Sequence, residues 1–222
     1  MKLKNFAAAT ICVAAGVFAA PAMAGTVTYD ITAFTSTPTN IASLLDIKQF
    51  DSTLGALSSI EIEYSSVVYG QLLASNANTR LDKTVNGTLG ATMTLTGPGS
   101  LLLGSTSGTV FSGTGTAHKA TLLTSILDGE KNLSTDVQLD SGSFELFTGT
   151  GNVQANFSLI ADGTKSGGTG VLTKFSTTAS GIGHVTYTYT VAAPVPEPET
   201  YGMMLLGLGA IAFVAKRKSR AA

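Results

Sequence analysis

The chain has 222 residues, of which 44% are hydrophobic and only 12% charged, with a formal net charge of −1 and a mean hydropathy of +0.30. The charged share is about half of the roughly 25% usual in globular proteins, and the length suits one domain with end segments. Between residues 25 and 193, seven Lys and Arg stand against twelve Asp and Glu with no basic run, which excludes a phosphate-backbone binder and so a nucleic-acid partner.

Residues 1–24 read as a secretory signal peptide. Lys2 and Lys4 give the positive start, Phe6 to Ala20 the apolar stretch, and Ala22-Met23-Ala24 the small-x-small pattern behind the helix-breaking Pro21. Cleavage after Ala24 would leave Gly25 as the first residue. The single cysteine, Cys12, falls inside this apolar run, so disulfides, thiolate metal sites and a cysteine nucleophile are excluded from the remainder.

Residues 25–193 are rich in Thr, Ser, Gly and Val. Apolar residues alternate with polar ones along Val27-Tyr29-Ile31-Ala33, Ile60-Ile62-Tyr64, Val153-Ala155-Phe157-Leu159 and Val185-Tyr187-Tyr189-Val191. Period-two alternation of β-branched and aromatic residues predicts strands with one buried face. Asn86-Gly87, Gly97-Pro98-Gly99, Asp128-Gly129, Asp162-Gly163 and Gly167-Gly168 read as turns. Weak helical patterns occur near Ile41–Ile47 and Leu122–Leu127, and Gly104–Thr116 reads as a mobile loop or a glycine-laced edge strand. The expected fold is all-β, an antiparallel sandwich or jelly roll forming a single domain.

After residue 193 the composition changes. Ala192 to Glu199 carries three prolines and predicts a rigid, extended linker. Tyr201 to Ala215 is a 15-residue uncharged apolar helix candidate, followed by the basic cluster Lys216, Arg217, Lys218 and Arg220. A membrane span ordinarily needs about 17–25 apolar residues. This one is a short transmembrane candidate, stretched by a snorkelling Lys216 and an interfacial Tyr201. Its basic end belongs on the cytoplasmic side, which puts the β domain beyond the membrane.

The order Pro196-Glu197-Pro198, short Gly-containing apolar helix, basic cluster resembles the PEP-CTERM sorting domain over the segment 194–220. Glu199 departs mildly from it, standing where Ser or Gly is more usual. That resemblance implies an exosortase-type processing enzyme as partner, a transient anchor in the cytoplasmic membrane, and final placement at the surface or outside a Gram-negative cell that makes exopolysaccharide. Gln49-Phe50-Asp51-Ser52-Thr53-Leu54-Gly55-Ala56-Leu57, with the strand that follows and the closing strand Val185–Thr190, resembles the choice-of-anchor E domain, which implies no activity.

No catalytic, cofactor or metal constellation is assigned. His118 and His184 have no sequence neighbour at ligand spacing. Gly104-Ser105-Thr106-Ser107-Gly108 has Thr where a nucleophile elbow needs Ser. Gly113-Thr114-Gly115-Thr116 and Gly168-Thr169-Gly170 complete no phosphate loop and read as turns. Glu61 and Glu63 share a strand face about 7 Å apart. Asp46, Asp51, Asp128, Glu130, Asp136 and Asp140 are the oxygen ligands that a calcium site could draw on. The sequence therefore predicts an exported, non-enzymatic surface or matrix protein associated with exopolysaccharide and biofilm. A glycan- or calcium-binding adhesion module is the alternative, and a polysaccharide hydrolase a more distant one.

Overall fold

The computed structural model describes residues 23–191 and 198–219. Its contacts divide the chain into two units, of which Ala24–Val191 is the β domain.

Eight strands build that domain: β1 (Met23–Pro38), β2 (Ile41–Lys48), β3 (Ala56–Asn76), β4 (Lys83–Thr96), β5 (Leu102–Ala117), β6 (Thr121–Leu139), β7 (Asn152–Gly167) and β8 (Val171–Val191). They form two four-stranded sheets, of order β1-β8-β3-β6 and β2-β7-β4-β5. Successive strands alternate between the sheets everywhere except at β4–β5, which is the double-sheet jelly-roll order. The predicted alternation sets the faces. In β3, Ile60, Ile62, Tyr64, Val68 and Leu72 are buried, while Glu61 and Glu63 point out. Against them pack Leu89, Met93 and Leu95 of β4, Phe157 of β7, and Val185 and Tyr187 of β8.

The sheet edges adjoin instead of standing free. Asp46 N–H of β2 donates to Thr32 Oγ1 of β1 at 3.2 Å. Gly129 of β6 lies so close to β5 that a Cβ would sit 2.3 Å from the Val110 carbonyl oxygen. Each edge is thereby covered by its sequence neighbour from the other sheet, which blunts edge-to-edge pairing.

Several local readings are corrected here. The helical patterns at Ile41–Ile47 and Leu122–Leu127 are strand, in β2 and β6. Asn86-Gly87, Asp128-Gly129 and Asp162-Gly163 lie inside β4, β6 and β7, and Gly113-Thr114-Gly115-Thr116 inside β5. Their glycines mark close approach: a Cβ on Gly87 would meet Leu72 Cδ2 at 2.4 Å, and one on Gly163 the Thr88 carbonyl oxygen at 2.3 Å. Gly97-Pro98-Gly99 and Gly167-Gly168 do fall at strand ends. The Gly104–Thr116 stretch is an edge strand, within β5.

The Gln49–Leu57 segment builds a corner. Gln49 Nε2 donates to the Thr148 carbonyl at 3.2 Å, Phe50 is buried, and Asp51 Oδ1 accepts from Thr53 N–H at 2.9 Å to cap the 3₁₀ turn Ser52–Leu54. That capping bond, with a hydroxyl bond from Thr53 and nearby Lys48, holds the Asp51 carboxyl below its usual range. Gly55 follows with φ +147, and a Cβ there would lie 2.3 Å from the Thr190 carbonyl oxygen. Only glycine fits that conformation and that gap together.

The second described segment is helix α1 (Pro198–Ser219). It starts earlier than the uncharged run, so Pro198 and Glu199 are helical where an extended linker is expected. Proline is well suited to a first helical position because its missing N–H would have no intrahelical partner. The basic residues 216–218 lie in its last turns. No helix among the described residues is long and apolar enough to cross a membrane.

Candidate functional site

Three places carry the residues singled out by sequence: the tail, the outer face of the first sheet, and the end of the domain where β3 meets β4.

In the tail, Pro196, Glu197 and Arg220 lie outside the described residues, as does Ala22 at the other end of the chain. Pro198 opens α1, and Lys216, Arg217 and Lys218 close it. Met203, Met204, Leu205 and Leu206 are all more than half exposed. Four consecutive exposed apolar positions go right round a helix, so α1 has no polar face of the kind a globular-protein helix presents to water. Ala24 and Gly25 belong to β1. Gly25 lies against Tyr189, where a Cβ would meet the ring at 2.6 Å.

On the outer face, backbone register lines up one residue from each strand. Glu63 of β3 pairs with His184 of β8 on one side and Asp136 of β6 on the other. His184 Nδ1 in turn lies 2.9 Å from Asp30 Oδ1 of β1. Carboxylate oxygens of Glu61, Glu63 and Asp136 fall within 4.8 Å of one another, all exposed. The sequence puts Glu61 and Glu63 together, but Asp136 joins them only through strand pairing. Asp46, Asp51, Asp128, Glu130 and Asp140 are not part of this group. Such a set of hard oxygen donors has the chemistry that calcium prefers.

Both histidines have carboxylate partners after all. His118 Nδ1 lies 3.0 Å from Asp82 Oδ2, and Asp82 Oδ1 accepts the Lys119 N–H at 2.8 Å. These partners are 36 and 154 residues away in sequence, so no local spacing could reveal them. The Lys119 N–H first, and His118 second, hold the Asp82 carboxyl below its usual range. Side-chain exposure is 70% and 48% for His118 and Asp82, and 42% and 89% for His184 and Asp30. At that exposure each pair is a solvated contact of small energetic weight.

What these observations define first is a class: an eight-stranded, two-sheet β domain followed by an apolar helix with a basic end. The particular match is in the tail, where residues 194–218 match the PEP-CTERM protein-sorting motif. No match supports the choice-of-anchor E resemblance. No curated protein matches the chain in sequence. Among solved structures, the chain is similar to "Structure of infectious bursal disease virus Gx strain", at 16% identity and a TM-score of 0.27, covering 78% of this chain and 37% of that one. It is also similar to the infectious bursal disease virus VP2 subviral particle, at 14% identity and a TM-score of 0.26, covering 77% and 37%. The chain thus spans less than half the length of these viral chains, and at such scores the likeness carries no argument.

Proposed function

We propose that this is an exported protein whose β domain is delivered beyond the cytoplasmic membrane by a tail that an exosortase-type enzyme reads and cuts. The match at residues 194–218 is the single observation that carries this reading. The α1 helix supplies the transient anchor. Its uncharged stretch is short, so local thinning of the bilayer and snorkelling of Lys216 would complete the crossing, with the basic end held on the cytoplasmic side. Residues 1–24 act as the cleaved export signal, and β1 keeps its pairing when the chain starts at Gly25. The released domain works without catalysis at the cell surface or in the matrix, in company with exopolysaccharide. The exposed Glu61, Glu63 and Asp136 carboxylates, and two histidine pairs that are both solvated, support the non-enzymatic reading.

The test is Pro196→Ala/Glu197→Ala/Pro198→Ala in a host that encodes an exosortase. Full-length protein should accumulate in the membrane fraction while the wild type is found outside the cell. Equal release of both proteins would rule out recognition through this motif.

A second reading, a calcium-binding adhesion module, is favoured by the Glu61, Glu63 and Asp136 group alone.

A further inference from the structure

Three turns lie at one pole of the β domain: residues 77–82 between β3 and β4, 118–120 between β5 and β6, and 168–170 between β7 and β8. β8 begins at this pole, where Val171 pairs with Asn76, and ends with Val191 at the other.

The three turns are fastened into one platform. Ala120 N–H donates to the Asn78 carbonyl at 2.7 Å, and Ala77 N–H to the Gly170 carbonyl at 3.3 Å. Asn76 is fully buried beneath them; its Nδ2 donates to the carbonyls of Leu81 at 2.9 Å and Ala117 at 3.0 Å, and its Oδ1 accepts from Asn78 N–H. Asn78 Oδ1 then accepts from the N–H groups of Arg80 and Leu81. A buried amide satisfied on both ends fixes its surroundings.

On that platform two kinds of side chain stand out. Leu122 is 87% exposed, Leu172 74%, Leu81 60% and Leu123 51%. Leu172 is level with Ser75, and Leu122 and Leu123 lie between the rungs Asn76–Thr121 and Ala74–Thr124, so the leucines share the last rungs of the sheet. At the same end are Arg80 and Lys119 in the turns, Lys83 opposite Ala117, Lys174 opposite Leu73, and Lys165 opposite Gly87 with its ammonium on the Thr173 carbonyl, against the single acid Asp82. None of these five cations is within 4 Å of a carboxylate among the described residues. The rest of residues 25–193 holds only two basic side chains, Lys48 and Lys131, against eleven acidic ones. The domain as a whole is acidic, yet its cations are gathered where its leucines are bared.

We propose that this pole is a docking surface for an anionic lipid bilayer, the leucines entering the interface while Arg80, Lys83, Lys119 and Lys174 meet the headgroups. Charge complementarity alone would suit any polyanion, such as an acidic polysaccharide. A dissolved polyanion leaves four exposed leucines unaccounted for, whereas apolar residues ringed by Lys and Arg are the chemistry of a surface that is anionic outside and apolar within. This surface is independent of the processing of the tail, because every residue in it belongs to the β domain.

The test uses the full chain held by its tail in phosphatidylcholine nanodiscs and scores capture of added vesicles. Vesicles containing phosphatidylglycerol should be captured, and phosphatidylcholine vesicles not. Lys119→Glu/Lys174→Glu should weaken capture by at least about tenfold, at about 1 kcal/mol per cation at such a surface, and Leu122→Ser/Leu172→Ser should weaken it comparably. Unchanged thermal melting of both variants shows that the fold is intact. Equal capture of both vesicle types, no capture, or full capture by the leucine variant would overturn the proposal; the last would make the pole a site for soluble anionic polymers.

Discussion

The Tyr187 hydroxyl donates to the backbone carbonyl oxygen of Lys48 at 2.7 Å, joining β8 of one sheet to the last residue of β2 in the other. Phe50 packs against the Tyr187 and Tyr189 rings at 5.6 and 5.3 Å between centroids, so the bond closes the corner built by Gln49–Leu57. Tyr64 is its opposite: as deeply buried, in contact with the Phe157 ring, its hydroxyl has no hydrogen-bond partner. Tyr187→Phe should therefore destabilise the domain by about 1 kcal/mol, and Tyr64→Phe should be neutral or stabilising, because a buried hydroxyl with no partner has already lost its hydration. Denaturant unfolding of the two variants separates them.

The same two phenols set the alkaline limit. Burial pushes Tyr64 up to about 12 and Tyr187 further in the same direction. A folded-state value above the unfolded one of about 10 means that the stabilisation is complete below that pH and is lost as pH rises through the folded value. Stability should hold to about pH 10 and then fall. An ultraviolet titration should show these tyrosines ionising together with unfolding; ionisation of all of them near pH 10 in a folded protein would contradict this.

Gly129→Val should destabilise by about 1–3 kcal/mol, since its Cβ would come 2.3 Å from a backbone oxygen that cannot step aside. Gly170→Asn makes the control. Its φ of +84 is one that asparagine tolerates, and nothing lies within 4 Å, so melting should hardly move.

At the platform, Asp82 contributes stability that is present above its unfolded value and lost as pH falls through its depressed folded value. A carboxyl-detected NMR titration should place its midpoint below the ordinary aspartate range. His118→Ala should leave part of the depression in place, because the Lys119 N–H is the largest single cause. A return to the ordinary value in that variant would assign the effect to the histidine.

If Glu61, Glu63 and Asp136 hold calcium, the ion should raise the melting temperature in the wild type and not in Glu61→Gln/Glu63→Gln, following the mass-action relation between binding and stability. No calcium shift in the wild type removes the second reading.

Strand content was legible because Ile60-Ile62-Tyr64 and Val185-Tyr187 alternate cleanly about a buried face. The order of the strands was not, since a jelly roll pairs β1 with β8 and β2 with β7 across most of the chain. Glycine misled for a physical reason: Gly87, Gly129 and Gly163 follow Asn or Asp as in a tight turn, yet they are needed where another chain segment comes too close for a Cβ. The tail could be read because its signal is linear. The Glu63–Asp136 neighbourhood, the His184–Asp30 contact and the gathering of cations at one pole exist only once strands pair, and no local pattern announces them.

If the tail is a sorting signal that is removed, intact-mass analysis of the protein recovered from outside an exosortase-encoding host should find a chain that starts at Gly25 and ends near Pro196–Thr200. A recovered chain that still ends at Ala222 would show that the tail is not cut.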